Sequence, residues 1–279
     1  MITDTPGATE RARTLEVPDG RLYYEVRGET GPLVVLVGAP MDADAFGPLA
    51  DVLAADHTVL TTDPRGIHRS ELHNPEQEST PELRADDLAR LITHLDAGPA
   101  VVVGSSGGAV SALALAQRHP ELLRAVVAHE PPLIELLDDR DELRAGTERL
   151  VADYLGGDVV GAWKGFFAQA GIMIPEPAVE QMFGGERDAR QVADERRWFA
   201  HELRRTTFWT PDAAALRGES GRVVVGIGEA SAGQLCDRTA RALAGRLGIE
   251  PTLFPGDHTG FVDAPDAFAD RLRAVLRPD

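Results

Sequence analysis

The chain has 279 residues, 43% of them hydrophobic and 26% charged, with a formal net charge of −17. That length allows one large domain or a domain with a sizeable insertion, and the apolar share predicts a packed core rather than disorder. The acidic balance argues against nucleic acid or an anionic membrane surface as partner, and says nothing about fold.

The first elements predicted are two strands, Thr14–Val17 and Leu22–Val26, joined as a hairpin by "PDGR", since Asp-Gly suits a tight turn. "LVVLV" at Leu33–Val37 is a short, continuous apolar run, the mark of a strand buried on both faces. "AFGPLADVLAAD" then has helical spacing and "HTVLTTD" reads as a strand. In "TPELRADDLARLITHLD", Thr80 is a plausible N-cap and Pro81 takes the first helical position. Next come "AVVVGS" (strand), "AVSALALAQRHP" (helix) and "LRAVVAHE" (strand). Strands alternating with helices imply parallel βαβ units in a doubly wound sheet.

The rhythm breaks from Pro131 to about Pro211, which is mostly helical pattern punctuated by Gly and Pro. It resumes with "RVVVGIG", "AGQLCDRTARALAGRLG", "PTLFPG" and "PDAFADRLRAVL". The expected organisation is therefore a core of residues 1–130 and 212–279 with a helical cap at 131–211. An insertion at strand ends suggests a lid, because ligands of open α/β sheets bind outside the carboxyl ends of the strands.

"VVVGSSGGAV" contains Gly104-Ser105-Ser106-Gly107-Gly108, a G-x-S-x-G between strand and helix. In such an elbow the nucleophile sits in a strained turn, and small residues two places before and after it avoid collisions. Only Ser106 has Gly at both places, so it is the expected nucleophile. A serine hydroxyl needs a base, and His258 in "LFPGDHTGF" lies on the loop after the last strand, where the chain order of this motif puts one. His57 and His119 read as strand-edge and helix-end residues, and His68 and His73 as solvated loop residues. His94 falls in a helix and His201 in the insertion. No spacing of histidines suggests a metal site. An oxyanion would meet the N–H of Gly107 and that of Ala39 in "VVLVGAPMD", since Pro40 cannot donate.

With "VGAP", "DPRGIHRS", "GSSGGA" and "GDHTGF" in this order, the chain resembles the α/β-hydrolase superfamily over nearly its full length. That resemblance implies an α/β-hydrolase fold, a mostly parallel sheet with a helical lid, and no cofactor. It also implies an Asp on the loop after the strand that follows the lid, where this chain has Ser231. A serine cannot stabilise the imidazolium that forms when His258 takes the proton. Glu229 is offset by a residue or two, Asp237 falls in the next helix, and Asp257 reads as a turn former beside His258. Glu130 ends the strand expected beside the nucleophile strand, facing the same crevice. "GSSGGA" with "HEPPL" and a loop lacking the usual Asp is similar to the zearalenone-lactonase group, which implies a Ser106–Glu130–His258 triad. His129 is then expected to be structural.

Trp198, Phe199, Phe208 and Trp209 concentrate aromatic residues in the insertion, either walling a pocket or seating the insertion on the sheet, and Trp198 is the expected pocket residue. "GIMIP" and Met182 are further apolar residues of the insertion, whose direction, toward the pocket or away from it, the sequence leaves open. Asp63 and Arg65 in "DPRG" are expected to shape their loop, with an ion pair inside the turn. The reading as a whole is a serine hydrolase acting on a small carboxylic ester or lactone. Its alternatives are a non-hydrolytic ligand sensor, or a cofactor-free perhydrolase, cyclase or oxygenase on the same fold. The family's dehalogenases and epoxide hydrolases carry Asp at the nucleophile position and are disfavoured.

The single cysteine, Cys236, excludes an intramolecular disulfide and makes a cytoplasmic location the default. The N-terminal stretch shows no basic-then-apolar leader, and no apolar run approaches a membrane span. One lysine, Lys164, among many arginines, with abundant alanine, matches the coding bias of a GC-rich bacterial genome.

Overall fold

The computed structural model describes residues 12–217 and 222–277, so the reading of a leaderless start falls largely outside the described residues. Among the described residues, nine strands form one sheet: β1 (Ala12–Val17), β2 (Gly20–Arg27), β3 (Leu33–Val37), β4 (Thr58–Thr62), β5 (Glu71–Leu72), β6 (Ala100–Ser105), β7 (Leu123–His129), β8 (Arg222–Gly228) and β9 (Thr252–Phe254). Their spatial order is β1-β2-β4-β3-β6-β7-β8-β9, with β5 paired to β2. β2 runs antiparallel to β1, β4 and β5, and every pairing from β4 to β9 is parallel. Two-residue β5 is too short to carry a readable alternation, and the sequence did not announce it.

The core helices are α1 (Gly47–Leu53), α2 (Pro81–Leu95) and α3 (Gly107–Arg118). The Thr80 hydroxyl caps α2 by accepting from the Leu83 N–H. Beyond β7 the chain forms α4 (Arg140–Leu155), α5 (Val159–Ala170), α6 (Glu176–Phe183), α7 (Ala189–Arg197), a π-helical turn at Trp198–Glu202, α8 (Leu203–Thr207) and α9 (Ala213–Arg217). Then follow α10 (Leu235–Leu247), α11 (Gly260–Asp263) and α12 (Pro265–Leu276). None of the described helices is long and apolar enough to cross a membrane.

Period-two alternation explains why the strands read as unbroken apolar runs. Val35, Val102, Val126 and Val225 face one layer with Leu88, Leu113 and Leu243 of α2, α3 and α10. Val34, Val103, Val127 and Val224 face the other, with Leu49 of α1, Phe261 of α11 and Phe268 of α12. Both faces are covered, so both are mainly apolar. The helical segment has an apolar cluster of its own, built on Leu150, Tyr154, Trp198, Phe199 and Leu203.

Buried arginines tie the segment to the sheet. The Arg197 guanidinium donates to the carbonyls of Arg65, Pro75 and Gln77 at 3.1, 2.7 and 3.1 Å. A side chain at Gly66, where φ is +72°, would collide with Arg197. The ion pair expected inside "DPRG" does not form. Arg65 instead donates to Asp87 and Asp19, whereas Asp63 is paired with Arg69. These partners are distant in sequence, and chain spacing could not single them out. His68, expected to be solvated, is half-buried with Nδ1 2.7 Å from Asp42.

His129, the last residue of β7, is fully buried between β6 and a phenylalanine cluster. Its Nδ1 lies 3.2 Å from Ser105 Oγ, and Nε2 has no hydrogen-bond partner. Phe254, Phe261 and Phe268 surround the ring edge-on. Burial pushes its pKa down to about 4, against about 6.5 in an unfolded chain. Between those values the unfolded chain binds a proton that the folded one refuses. Stability is therefore complete above about pH 6.5 and falls toward pH 4, by at most about 1.4 kcal/mol per pH unit from this group. His129→Leu is expected to flatten that dependence, as urea midpoints of both proteins at neutral and mildly acidic pH would reveal.

Candidate active site

The elbow between β6 and α3 is strained in the way its glycines predict. Ser106 has φ +55° and ψ −123°, a conformation that non-glycine residues rarely adopt. Its N–H donates to the His129 carbonyl at 2.9 Å, locking the elbow to the neighbouring strand end. A Cβ at Gly104 would strike the Gly108 carbonyl, and one at Gly108 would strike the carbonyl of Val37. Gly108→Ala should therefore cost about 1–3 kcal/mol of stability, read as a drop in urea midpoint, together with activity as the elbow shifts. Gly107 opens α3, so its N–H has no intrahelical acceptor. Ala39, after β3, packs directly on Gly107.

One strand over, Glu130 has φ +53°, which turns the chain out of β7 and sets its carboxylate under the last loop. The group is fully buried, and both oxygens are used. Oε1 accepts from the Gly228 N–H at 2.8 Å, and Oε2 lies 2.6 Å from His258 Nδ1. Burial opposes the charge on Glu130, but His258 prevails and holds its pKa down at about 2. Burial likewise opposes an imidazolium at His258. The neighbouring Cys236 and Glu130 reverse that and push it up to about 10. Cys236 contributes only as a thiolate, so with a neutral thiol the lift rests on Glu130.

The other acids lie elsewhere. Glu229 is exposed. Asp237 accepts from the Gly233 N–H and from Arg241. Asp257 closes a turn by accepting from the N–H and hydroxyl of Thr259. Ser231 is fully buried next to the Glu130 carboxylate, yet its hydroxyl lacks a partner of hydrogen-bond geometry.

Ser106, Gly107, Ala39 and His258 open onto one cavity of about 410 Å³ beneath α4, α5 and α8. Trp198 lines it, 6% exposed, as do Ile172 and Ile174. The other aromatics singled out in the sequence do not. Phe199 stacks on Tyr154, Phe208 lies under Arg144, and the Trp209 indole donates to Glu82. Met173 and Met182 stand exposed. The sequence reading missed Trp163, Phe166, Thr206 and Cys236 on the cavity wall. Aromatic spacing in "AWKGFF" was the available signal for the first two.

Among the described residues, two groups bring three metal-ligating side chains within 4.8 Å of one another: Glu130–Cys236–His258 and Asp42–Asp44–His68. In the first, each Glu130 oxygen already has a partner, Gly228 N–H and His258. In the second, Arg69 neutralises Asp44 at 2.8 Å.

A mostly parallel sheet covered on both faces, with a serine elbow and a histidine on the last loop, defines a class. The chain belongs to the α/β-hydrolase superfamily and is a hydrolase of that type: the family model described as "alpha/beta hydrolase fold" matches residues 31–160. It is 32% identical over 271 residues to the uncharacterized hydrolase YraK of Bacillus subtilis (strain 168), spanning 95% of this chain and 96% of that one. It is 28% identical over 265 residues to the zearalenone hydrolase of Bionectria ochroleuca, spanning 92% and 94%. Among solved structures, an esterase from Exiguobacterium antarcticum superposes with a TM-score of 0.69 at 19% identity, covering 93% of this chain and 96% of its own.

Proposed function

We propose that this hydrolase cleaves a carboxylic ester or lactone through an acyl-enzyme on Ser106. The observation that carries the reading is the short contact between His258 Nδ1 and buried Glu130. With Nδ1–H donated to the carboxylate, Nε2 is the nitrogen left to act as base, on a side chain that shares its cavity with Ser106. His258 takes the hydroxyl proton as Ser106 Oγ attacks the carbonyl carbon. The N–H groups of Gly107 and Ala39 hold the oxyanion, and Glu130 stabilises the imidazolium. His258 then gives the proton to the leaving alkoxide, which in a lactone stays tethered to the acyl group. Water, deprotonated by His258, attacks the acyl-enzyme and frees the acid and Ser106.

These steps call on no cofactor. The helices between β7 and β8 serve as a lid, with Trp198 contacting substrate. The zearalenone hydrolase among the relatives supports lactone chemistry. A fluorophosphonate probe is the direct test: the reading requires one adduct, on the peptide bearing Ser106, and its absence would refute the acyl-enzyme.

A further inference from the structure

The hydrolytic steps leave one reactive side chain beside the base unused. Cys236, the sole cysteine of the chain, is the second residue of α10. It is half-buried and lines the same cavity as Ser106 and His258. Its sulfur, a ring nitrogen of His258 and a carboxylate oxygen of Glu130 all lie within 4.8 Å of one another. The first turn of α10 adds backbone N–H groups, which favour a thiolate over a thiol.

The wider surroundings suit a cation that replaces protons here. Asp257 stands on the cavity wall and buried Glu130 lies behind His258. Among the lining residues only His258 can carry positive charge, and an ion bound to its ring takes the place of that charge.

The donor set selects the ion. Sulfur with imidazole nitrogen binds thiophilic divalent cations such as Zn²⁺ and Cd²⁺, and offers little to Mg²⁺ or Ca²⁺, which take oxygen ligands. Donors on one tetrahedral Zn²⁺ stand about 3–4 Å apart. Small rotations of two half-buried side chains therefore bring sulfur and nitrogen onto a common ion. The Asp42–Asp44–His68 group has no sulfur, and Asp42 Oδ1 is already committed to the N–H groups of Asp44 and Ala45.

We propose that Cys236 and His258 form a site for a thiophilic divalent cation that switches the hydrolase off. The ion bonds to the sulfur and to a ring nitrogen, while the thiol proton, and any second proton on the imidazole, leave to solvent. Water from the cavity completes the coordination. Either ring nitrogen disables the base. On Nε2 the ion covers the lone pair that would receive the Ser106 proton. On Nδ1 it breaks the contact with Glu130 Oε2 and removes the orienting carboxylate. The effect on turnover rests on the acyl-enzyme reading, whereas binding of the ion does not.

Binding is read on Ser106→Ala protein titrated with Cd²⁺, through the ultraviolet charge-transfer band of a thiolate–cadmium bond. One equivalent should saturate the band at micromolar concentration. Cys236→Ser in the same background should abolish it, and His258→Gln should weaken binding by at least about tenfold. Inhibition is read on the wild-type protein with an activated ester at one fixed pH. Micromolar Zn²⁺ should silence turnover, a chelator should restore it, and millimolar Mg²⁺ should leave it untouched. Cys236→Ala and Cys236→Ser, each measured against its own metal-free rate, should need at least about tenfold more Zn²⁺ for half-inhibition.

A cadmium band that His258→Gln leaves unchanged would reduce the site to a solitary thiol and overturn the proposal. So would Zn²⁺ inhibition that survives loss of the sulfur, or full turnover by protein saturated with metal. Saturable binding by a protein that turns over no ester refutes the acyl-enzyme and upholds the site.

Discussion

Glu130→Gln is expected to lower kcat/KM for an activated ester by about 10⁴-fold, while Glu229→Ala stays within about twofold, as for an exposed residue without partners in the site. Glutamine preserves shape, and its carbonyl can still accept from Gly228. It loses the charge that stabilises the imidazolium, and its amide donates where Nδ1–H needs an acceptor. The substitution also moves the pH profile in a definite direction. His258 must be neutral to act as base, so its raised pKa places the acidic limb of kcat/KM above the ordinary imidazole range. Burial works the other way, lowering the pKa. Removing the carboxylate leaves burial less opposed, and the limb should shift to lower pH even as the plateau falls. Rate profiles of wild type and Glu130→Gln from mildly acidic to alkaline pH check both effects. A limb that stays in place, or a Glu229→Ala variant that is the more damaged of the two, would move the acid elsewhere.

Ser106→Ala should cost more, about 10⁵–10⁶-fold in kcat, leaving only what the backbone donors and substrate binding contribute. The informative control is its neighbour. Ser105 is buried, and its hydroxyl lies 3.2 Å from His129 Nδ1, on the structural side of the strand end. Ser105→Ala should retain turnover and lose stability, because it strips the His129 ring of its one hydrogen-bond partner among the described residues. Fluorophosphonate labelling followed by peptide mass analysis distinguishes the two serines without relying on rates. An adduct that persists in Ser106→Ala would assign the nucleophile wrongly here.

The strands and the elbow were legible in the sequence because each is over-determined locally. A strand covered on both faces must be apolar throughout, and a turn that excludes Cβ atoms at two flanking places leaves Gly as the fitting residue. Glu130 was reachable by a different route, from Ser231 standing where a carboxylate was expected. Its 2.6 Å contact with His258 depends on a left-handed residue at the end of β7, which no spacing rule announces. The cavity wall was harder still. Helical periodicity says that Trp163 and Phe166 share a face, but not whether that face meets the sheet, the segment's own core or open space. The π-helical turn at Trp198–Glu202 breaks that periodicity where it matters, separating Trp198 on the cavity from Phe199 in the core. Long-range ion pairs such as Arg65 with Asp19 and Asp87 lie beyond sequence patterning for the same reason: geometry selects the partner.

The three carbonyls held by Arg197 divide the helical segment into a fixed side and a free side. α7 and the turn after it are anchored to the loops following β4, with the Ser79 N–H donating to His201 and the Ser79 hydroxyl to Glu202. α6, by contrast, buries only Val179, and Met173 and Met182 beside it stand in solvent. The segment is thus fastened by buried hydrogen bonds on the Trp198 side and by exposed ones on the α6 side, where Lys164 donates to Glu176 and Glu180, so amide hydrogen exchange in α6 is expected to be faster than in α7.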